Sequence, residues 1–128
     1  RRAAGAATLT FLTAAIDDPR FSKAPADVVL AFSLLHLLPD PDAALAVIRA
    51  QVKPGGLFIS KTICVAEMPV WVPPILAVMR AMGRAPHLRR YSGAQIEAAI
   101  ARAGFDIVTS RIFGDVRYAR FIVARRKA

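Results

Sequence analysis

The chain has a single cysteine, Cys64, which excludes an internal disulfide and any metal site built from several thiolates. Aromatic residues are sparse at 8%, with one tryptophan and two tyrosines. They do not interleave with the basic residues, so the stacking platform of a single-strand nucleic-acid binder is absent. Acidic residues are also few, 9 against 18 lysines and arginines, which leaves a net charge of +9. The cations are scattered, with short clusters only at Arg89-Arg90 and Arg125-Arg126-Lys127. They read as an arginine-rich composition, and a nucleic-acid role finds little support. No secretory leader pattern and no apolar run of about 20 residues occurs, so no transmembrane segment is expected and the cytoplasm is the default location. The most apolar later stretch, 68–82, is interrupted by Pro69, Pro73, Pro74 and Arg80. Neither G-x-G-x-x-G nor the relaxed G-x-G is present; the only adjacent glycines, Gly55-Gly56, follow a helical pattern instead of opening one. A self-contained dinucleotide or adenosine site of the doubly wound kind is thereby excluded.

What the chain does have is a β-α-β unit over residues 27–62. Val28-Val29-Leu30-Ala31-Phe32 is apolar on both faces, as in a parallel strand covered by helices on both sides. Asp40-Pro41 then opens a helix: Asp40 suits the N-cap, Pro41 the first helical position, and Asp42 the positive end of the helix dipole. Ala44, Leu45, Val47, Ile48 and Val52 form its apolar stripe. Lys53-Pro54-Gly55-Gly56 ends the helix, and 57–65 reads as the second strand. Strands joined through one helix are parallel with a right-handed crossover, and ligands collect at their carboxyl ends, here residues 31–36. At 128 residues and 55% hydrophobic, the chain is one globular α/β domain.

In this order, Ala26-Asp27-Val28-Val29-Leu30-Ala31, Leu35-His36, Asp40 and Lys53-Pro54-Gly55-Gly56-Leu57-Phe58-Ile59 resemble the central part of class I S-adenosylmethionine-dependent methyltransferases. The likeness is close over 26–63 and looser elsewhere. It implies a Rossmann-like methyltransferase sheet that is incomplete, lacking the first two strands with their Gly-rich turn and ribose carboxylate, and that ends in an antiparallel hairpin. Residues 1–128 would then be a partial domain from the carboxyl-terminal part of a longer enzyme. Within it, 8–65 would hold the adenine loop and central unit, 66–91 either a lid or substrate insertion or a loop packed as an extra piece of core, and 92–128 a helix and the closing hairpin.

The resemblance also assigns roles. Thr8-Leu9-Thr10-Phe11-Leu12 reads as a short strand, and the loop after it as the adenine-contacting loop. Relatives place an acidic residue there. That position falls on Ala15, so the backbones of Ala15 and Ile16 would serve, with Asp17 the candidate if the register slips by two. The alternative for Asp17 or Asp18 is a local cap in a polar turn. Ala31, Phe32 and Ser33 would line the methionine and ribose side of the cofactor pocket, and His36 is a candidate general base or a histidine packed under the strand end. His87 reads as loop surface and Cys64 as a core thiol. No metal site is expected.

Further along, 75–82 reads as a short amphipathic helix and 92–103 as a second helix with an S-x-x-Q capping box at Ser92 and Gln95 and Gly104 beyond its end. Residues 105–113 and 116–124 read as a hairpin about a Gly114-Asp115 turn, with 125–127 a solvated tail. The reading is a methyltransferase fragment acting on a small, apolar molecule, with the isolated chain inactive and a poor binder of S-adenosylmethionine. Two alternatives stand beside it: a non-catalytic basic module that meets a partner or anionic surface through the Trp71 segment, and a fragment of a nicotinamide-dependent oxidoreductase.

Overall fold

The computed structural model describes residues 9–84, 89–112, 114, 115 and 117–128. His87, Thr8 and the predicted hairpin ends Phe113 and Val116 lie outside the described residues. After a one-turn helix, α1 (Pro19–Ser22), come β1 (Ala26–Phe32), α2 (Pro41–Gln51) and β2 (Val52–Ile63), with β1 and β2 paired in parallel. Local chemistry fixes the limits of α2. The Asp40 carboxylate accepts from the Ala43 N–H at 3.0 Å, Pro41 occupies the first helical position, and Val52 is already extended.

β2 begins earlier than expected, because Lys53-Pro54-Gly55-Gly56 does not separate helix from strand but bulges within the strand. Its register against β1 jumps from Ala26↔Val52 to Val28↔Leu57. Glycine is required at position 56, since a Cβ there would lie 2.8 Å from the Asp27 carbonyl oxygen and 2.9 Å from that of Lys53.

α3 (Val72–Ala81) also starts earlier than the expected 75–82, because Pro73 and Pro74 fall in the first turn, where no intrahelical N–H is needed. α4 (Gly93–Arg102) carries the complete capping box between Ser92 and Gln95, and Gly104 takes the left-handed conformation past its end, with φ +90°. β3 (Phe105–Ile112) and β4 (Ala119–Arg126) pair antiparallel, β4 also lies antiparallel to β2, and the sheet order is β1-β2-β4-β3.

Three further expectations are corrected. Leu9 to Leu12 form no strand; Leu9 and Phe11 are exposed, and with no neighbouring strand among the described residues their alternating pattern has no ladder to join. β3 ends at Ile112 and β4 starts only at Ala119, so β4 is displaced toward the carboxyl end relative to the expected 116–124. Arg125 and Arg126 are therefore strand residues, not a tail: Arg125 pairs with Leu57, and the Arg126 guanidinium donates to the Val52 carbonyl. Arginine can enter a strand this way when its stem lies along apolar surface and its head finds an acceptor.

The core lies on one face of the sheet. Leu45 and Ile48 of α2 and Ile96, Ala99 and Ile100 of α4 pack over Ala31, Phe58, Phe105 and Ile122. Phe58 and Phe105 meet with centroids 5.4 Å apart at 41°. On β1, at the sheet edge, Val28, Leu30 and Phe32 face away from this core and are exposed.

Candidate cofactor site

β1 ends where the parallel pair opens. Ser33, the next residue, is the one non-glycine with positive φ among the described residues, at +53°. Its N–H donates to the Lys61 carbonyl at 2.8 Å, so the ladder itself holds the strained turn. A 3₁₀ turn, Leu35–Leu37, follows, and its first residue is fully buried against α2 and α4.

The loop before α1 runs along α2. Ile16 is half-buried against the core, and its carbonyl accepts from Gln51 Nε2 at 2.7 Å. The Ala15 carbonyl accepts from the Asp18 N–H at 3.1 Å. Both carbonyls are thus engaged, while the N–H groups of Ala15, Ile16 and Asp17 have no acceptor among the described residues. Asp18 is the local cap: its carboxylate accepts from the Arg20 N–H and pairs with the Arg20 guanidinium at 2.7 Å. These hydrogen bonds hold its carboxyl at about 2. Asp17 is exposed and unpaired.

Ile16 and Asp17 form one side of a groove of about 280 Å³, with Leu38, Pro39, Ala43 and Val47 opposite. Of the positions expected from sequence, Ile16 and the alternative Asp17 line this groove and Ala15 does not; Leu38, Pro39 and Val47 were not among those expected. The Asp40-Pro41 helix start was the available signal, because it turns the chain back over this loop. The other named residues lie differently. The Ala31 side chain is in the core, leaving only its backbone toward a ligand. Phe32 projects from the opposite sheet face, and Ser33 is exposed at the strand end. A larger cleft of about 610 Å³, lined by Asp42, Arg49, Arg102 and Gly104, lies on the helix layer away from the strand ends. It is bridged by an exposed Arg102–Asp42 pair and holds none of the expected site residues.

His36 is buried, with 3% of its surface exposed, and its Nδ1 has no partner among the described residues. Burial lowers its pKa, which favours the neutral ring. Its carbonyl accepts from the Arg89 N–H at 3.1 Å, and Arg89 Nη2 donates to the Pro39 carbonyl at 2.6 Å. The far end of the 66–91 segment is thereby tied to the turn after β1. Its near end is held by the Ala66 N–H donating to the Tyr91 carbonyl at 3.3 Å. The Glu67 carboxylate accepts from the Gly93 N–H at 2.6 Å and faces Arg120 at 3.5 Å. Beneath this root lies Cys64, whose thiol burial pushes up to about 11. Among the described residues no group of histidine, cysteine and carboxylates is placed to hold a metal.

A mixed sheet with one parallel β-α-β unit, a groove beside the connection from β1 to α2 and a closing antiparallel pair defines an α/β domain of the Rossmann-like kind. The sequence profile of the methyltransferase domain family matches residues 3–110, and the chain belongs to that family, within the class I S-adenosylmethionine-dependent superfamily. No curated protein sequence matches it. Among solved structures it is similar to an O-methyltransferase family protein from Burkholderia thailandensis, with TM-score 0.69, 20% identity, and 93% of this chain and 36% of that one covered. It is also similar to the putative methyltransferase solved in complex with the Haloferax volcanii Trm112 methyltransferase activator, with TM-score 0.69, 18% identity and coverage of 93% and 62%. A third is an S-adenosylmethionine-dependent methyltransferase from Mesorhizobium loti, with TM-score 0.63, 18% identity and coverage of 80% and 62%. The chain thus spans between 36% and 62% of the length of these relatives.

Proposed function

We propose that these residues form one wall of the cofactor pocket of an S-adenosylmethionine-dependent methyltransferase acting on a small molecule with apolar surface. The observation that carries this reading is the groove in which Ile16 and Asp17 meet Leu38, Pro39 and Asp40, the residues that connect β1 to α2, beside N–H groups at 15–17 that have no acceptor among the described residues. An adenine ring fits such a place, with apolar Ile16, Leu38 and Val47 around its faces and N–H groups or the Asp17 carboxylate on its edge. The backbones of Ala31 and Phe32 and the hydroxyl of Ser33 lie toward the ribose and methionine end. When bound, the cofactor supplies an activated methyl group, and the protein's task is to position it against the acceptor.

The 66–91 segment serves as the substrate lid in this account. It is stapled at both ends beside the strand termini, and α3 between them carries exposed apolar side chains. His36 would accept the acceptor's proton in its neutral form, which requires this segment to shift, since the ring is enclosed when it is seated. A single buried thiol suits a reducing cytoplasm. Among the described residues no helix is long and apolar enough to cross a membrane.

The Gly-rich turn and ribose carboxylate are not among these residues, so the 128-residue chain alone is a poor cofactor binder and inactive. Calorimetric titration tests this. Full-length protein gives a saturable isotherm with S-adenosylmethionine, and the 128-residue chain binds at least about a hundredfold more weakly, a loss of roughly 2.8 kcal/mol. Absence of saturable binding by the full-length protein refutes the cofactor assignment.

A further inference from the structure

We infer that α3 is a docking surface for an anionic lipid bilayer. No residue of this helix is buried. Trp71 at its N-cap, Ile75, Val78, Met79 and Met82 at its C-cap follow the spacing 4, 3, 1, 3 and are all exposed, Trp71 by 64%. At helical pitch they fall within an arc of roughly 100°. Val70, just ahead of the helix, is 91% exposed and extends the stripe. The half-buried Val72, Pro73 and Leu76 lie to one side of that arc, and the stripe itself is left uncovered by the described residues.

Charge selects the occupant. Between Glu67 and Glu97 the sequence has Arg80, Arg84, Arg89 and Arg90 and no acidic residue. Arg80, Arg84 and Arg90 are exposed and have no partner among the described residues. Arg84 is fixed relative to the helix: its N–H donates to the Met79 carbonyl at 2.8 Å, that of Gly83 to the Arg80 carbonyl at 2.9 Å, and Gly83 has φ +70°. This terminal lock holds a cation at the end of the stripe. An apolar face with an interfacial tryptophan, Arg80 on the helix and Arg84 at its end matches the chemistry of a helix lying in the headgroup plane of an anionic membrane. The inference goes beyond the methyltransferase reading and does not depend on it.

The test is co-sedimentation of the full-length protein with phosphatidylcholine vesicles, with and without phosphatidylglycerol. The expected result is binding that requires phosphatidylglycerol and weakens as salt is raised. Val78→Asp abolishes it, and Arg84→Glu and Arg80→Glu each reduce it about fivefold or more. All three positions are exposed, and unchanged far-ultraviolet circular dichroism confirms that the variants fold. Binding with equal strength to both vesicle types, no binding to either, or strong protection of 72–82 from hydrogen exchange before lipid is added would each overturn the proposal. The last outcome would mean that protein already covers the stripe.

Discussion

At Ser33 a strained backbone meets the proposed cofactor pocket, and substitution there separates the two. A serine held at φ +53° costs about 1–2 kcal/mol relative to an unstrained residue. Ser33→Gly removes that cost but enlarges the freedom of the unfolded chain by about 0.5–1 kcal/mol, for a net gain of roughly 0.5–1 kcal/mol. In a domain of this size that raises the melting temperature by roughly 2–5 °C. Ser33→Ala keeps the strain and loses only the hydroxyl, so stability stays within about 0.5 kcal/mol. Ser33→Val adds the crowding of a β-branched side chain in the left-handed region and costs about another 1 kcal/mol or more. The N–H bond to Lys61 survives in all three. If the hydroxyl meets the cofactor, Gly and Ala both weaken S-adenosylmethionine binding by the value of one hydrogen bond, about 0.5–1.5 kcal/mol or roughly two- to tenfold. Denaturant unfolding and calorimetric titration of the full-length variants measure both axes. Ser33→Gly destabilised as much as Ser33→Val would refute the strain argument, and unchanged affinity in Gly and Ala would remove the hydroxyl from the site.

Gln51→Ala deletes the side chain that holds the Ile16 carbonyl, costing about 1 kcal/mol of stability. Faster hydrogen exchange at 14–18 and weaker cofactor binding are expected in the full-length protein; unchanged exchange there would show that the loop is held otherwise. Cys64 is fully buried with its thiol pushed up to about 11, so disulfide-exchange reagents modify it slowly at pH 8 and at full rate only after unfolding. Because the folded-state value is raised above the ordinary value of 9.0, the neutral thiol's contribution to stability is intact below pH 9 and lost as pH rises toward 11. Equal labelling rates in native and denatured protein would refute this placement. Gly56→Ala forces a methyl onto the Asp27 and Lys53 carbonyls and costs more than about 2 kcal/mol, read as a lowered unfolding midpoint; a neutral effect would argue against the bulge.

The legible parts of the fold were those fixed by neighbours in sequence. Asp40-Pro41 and Ser92 with Gln95 announce the starts of α2 and α4 because a cap bonds only three residues ahead. Strand limits depend on partners far along the chain, and there the pattern misled. Leu9 to Leu12 alternate but have nothing to pair with, whereas Arg125 and Arg126 look like a tail yet are held by Leu57 and the Val52 carbonyl. The Pro-Gly-Gly sequence reads as a break, but its bulge appears only with β1 alongside. The same distinction runs through the site. Ile16 and the end of β1 were visible as motif positions, while Leu38, Pro39 and Val47 became part of the groove only through the fold of α2 over the loop. Burial of the His36 ring was likewise a tertiary fact.

Hydrogen exchange of the full-length protein, with and without saturating S-adenosylmethionine, tests the cofactor wall most directly. Protection is predicted at residues 14–18 and 38–40, which lie on the two sides of the groove, and at 32–34 at the end of β1, with none at the cleft between α2 and α4 lined by Asp42, Arg49 and Arg102. Protection confined to that cleft, or none at either face of the groove once the cofactor is saturating, would contradict the account.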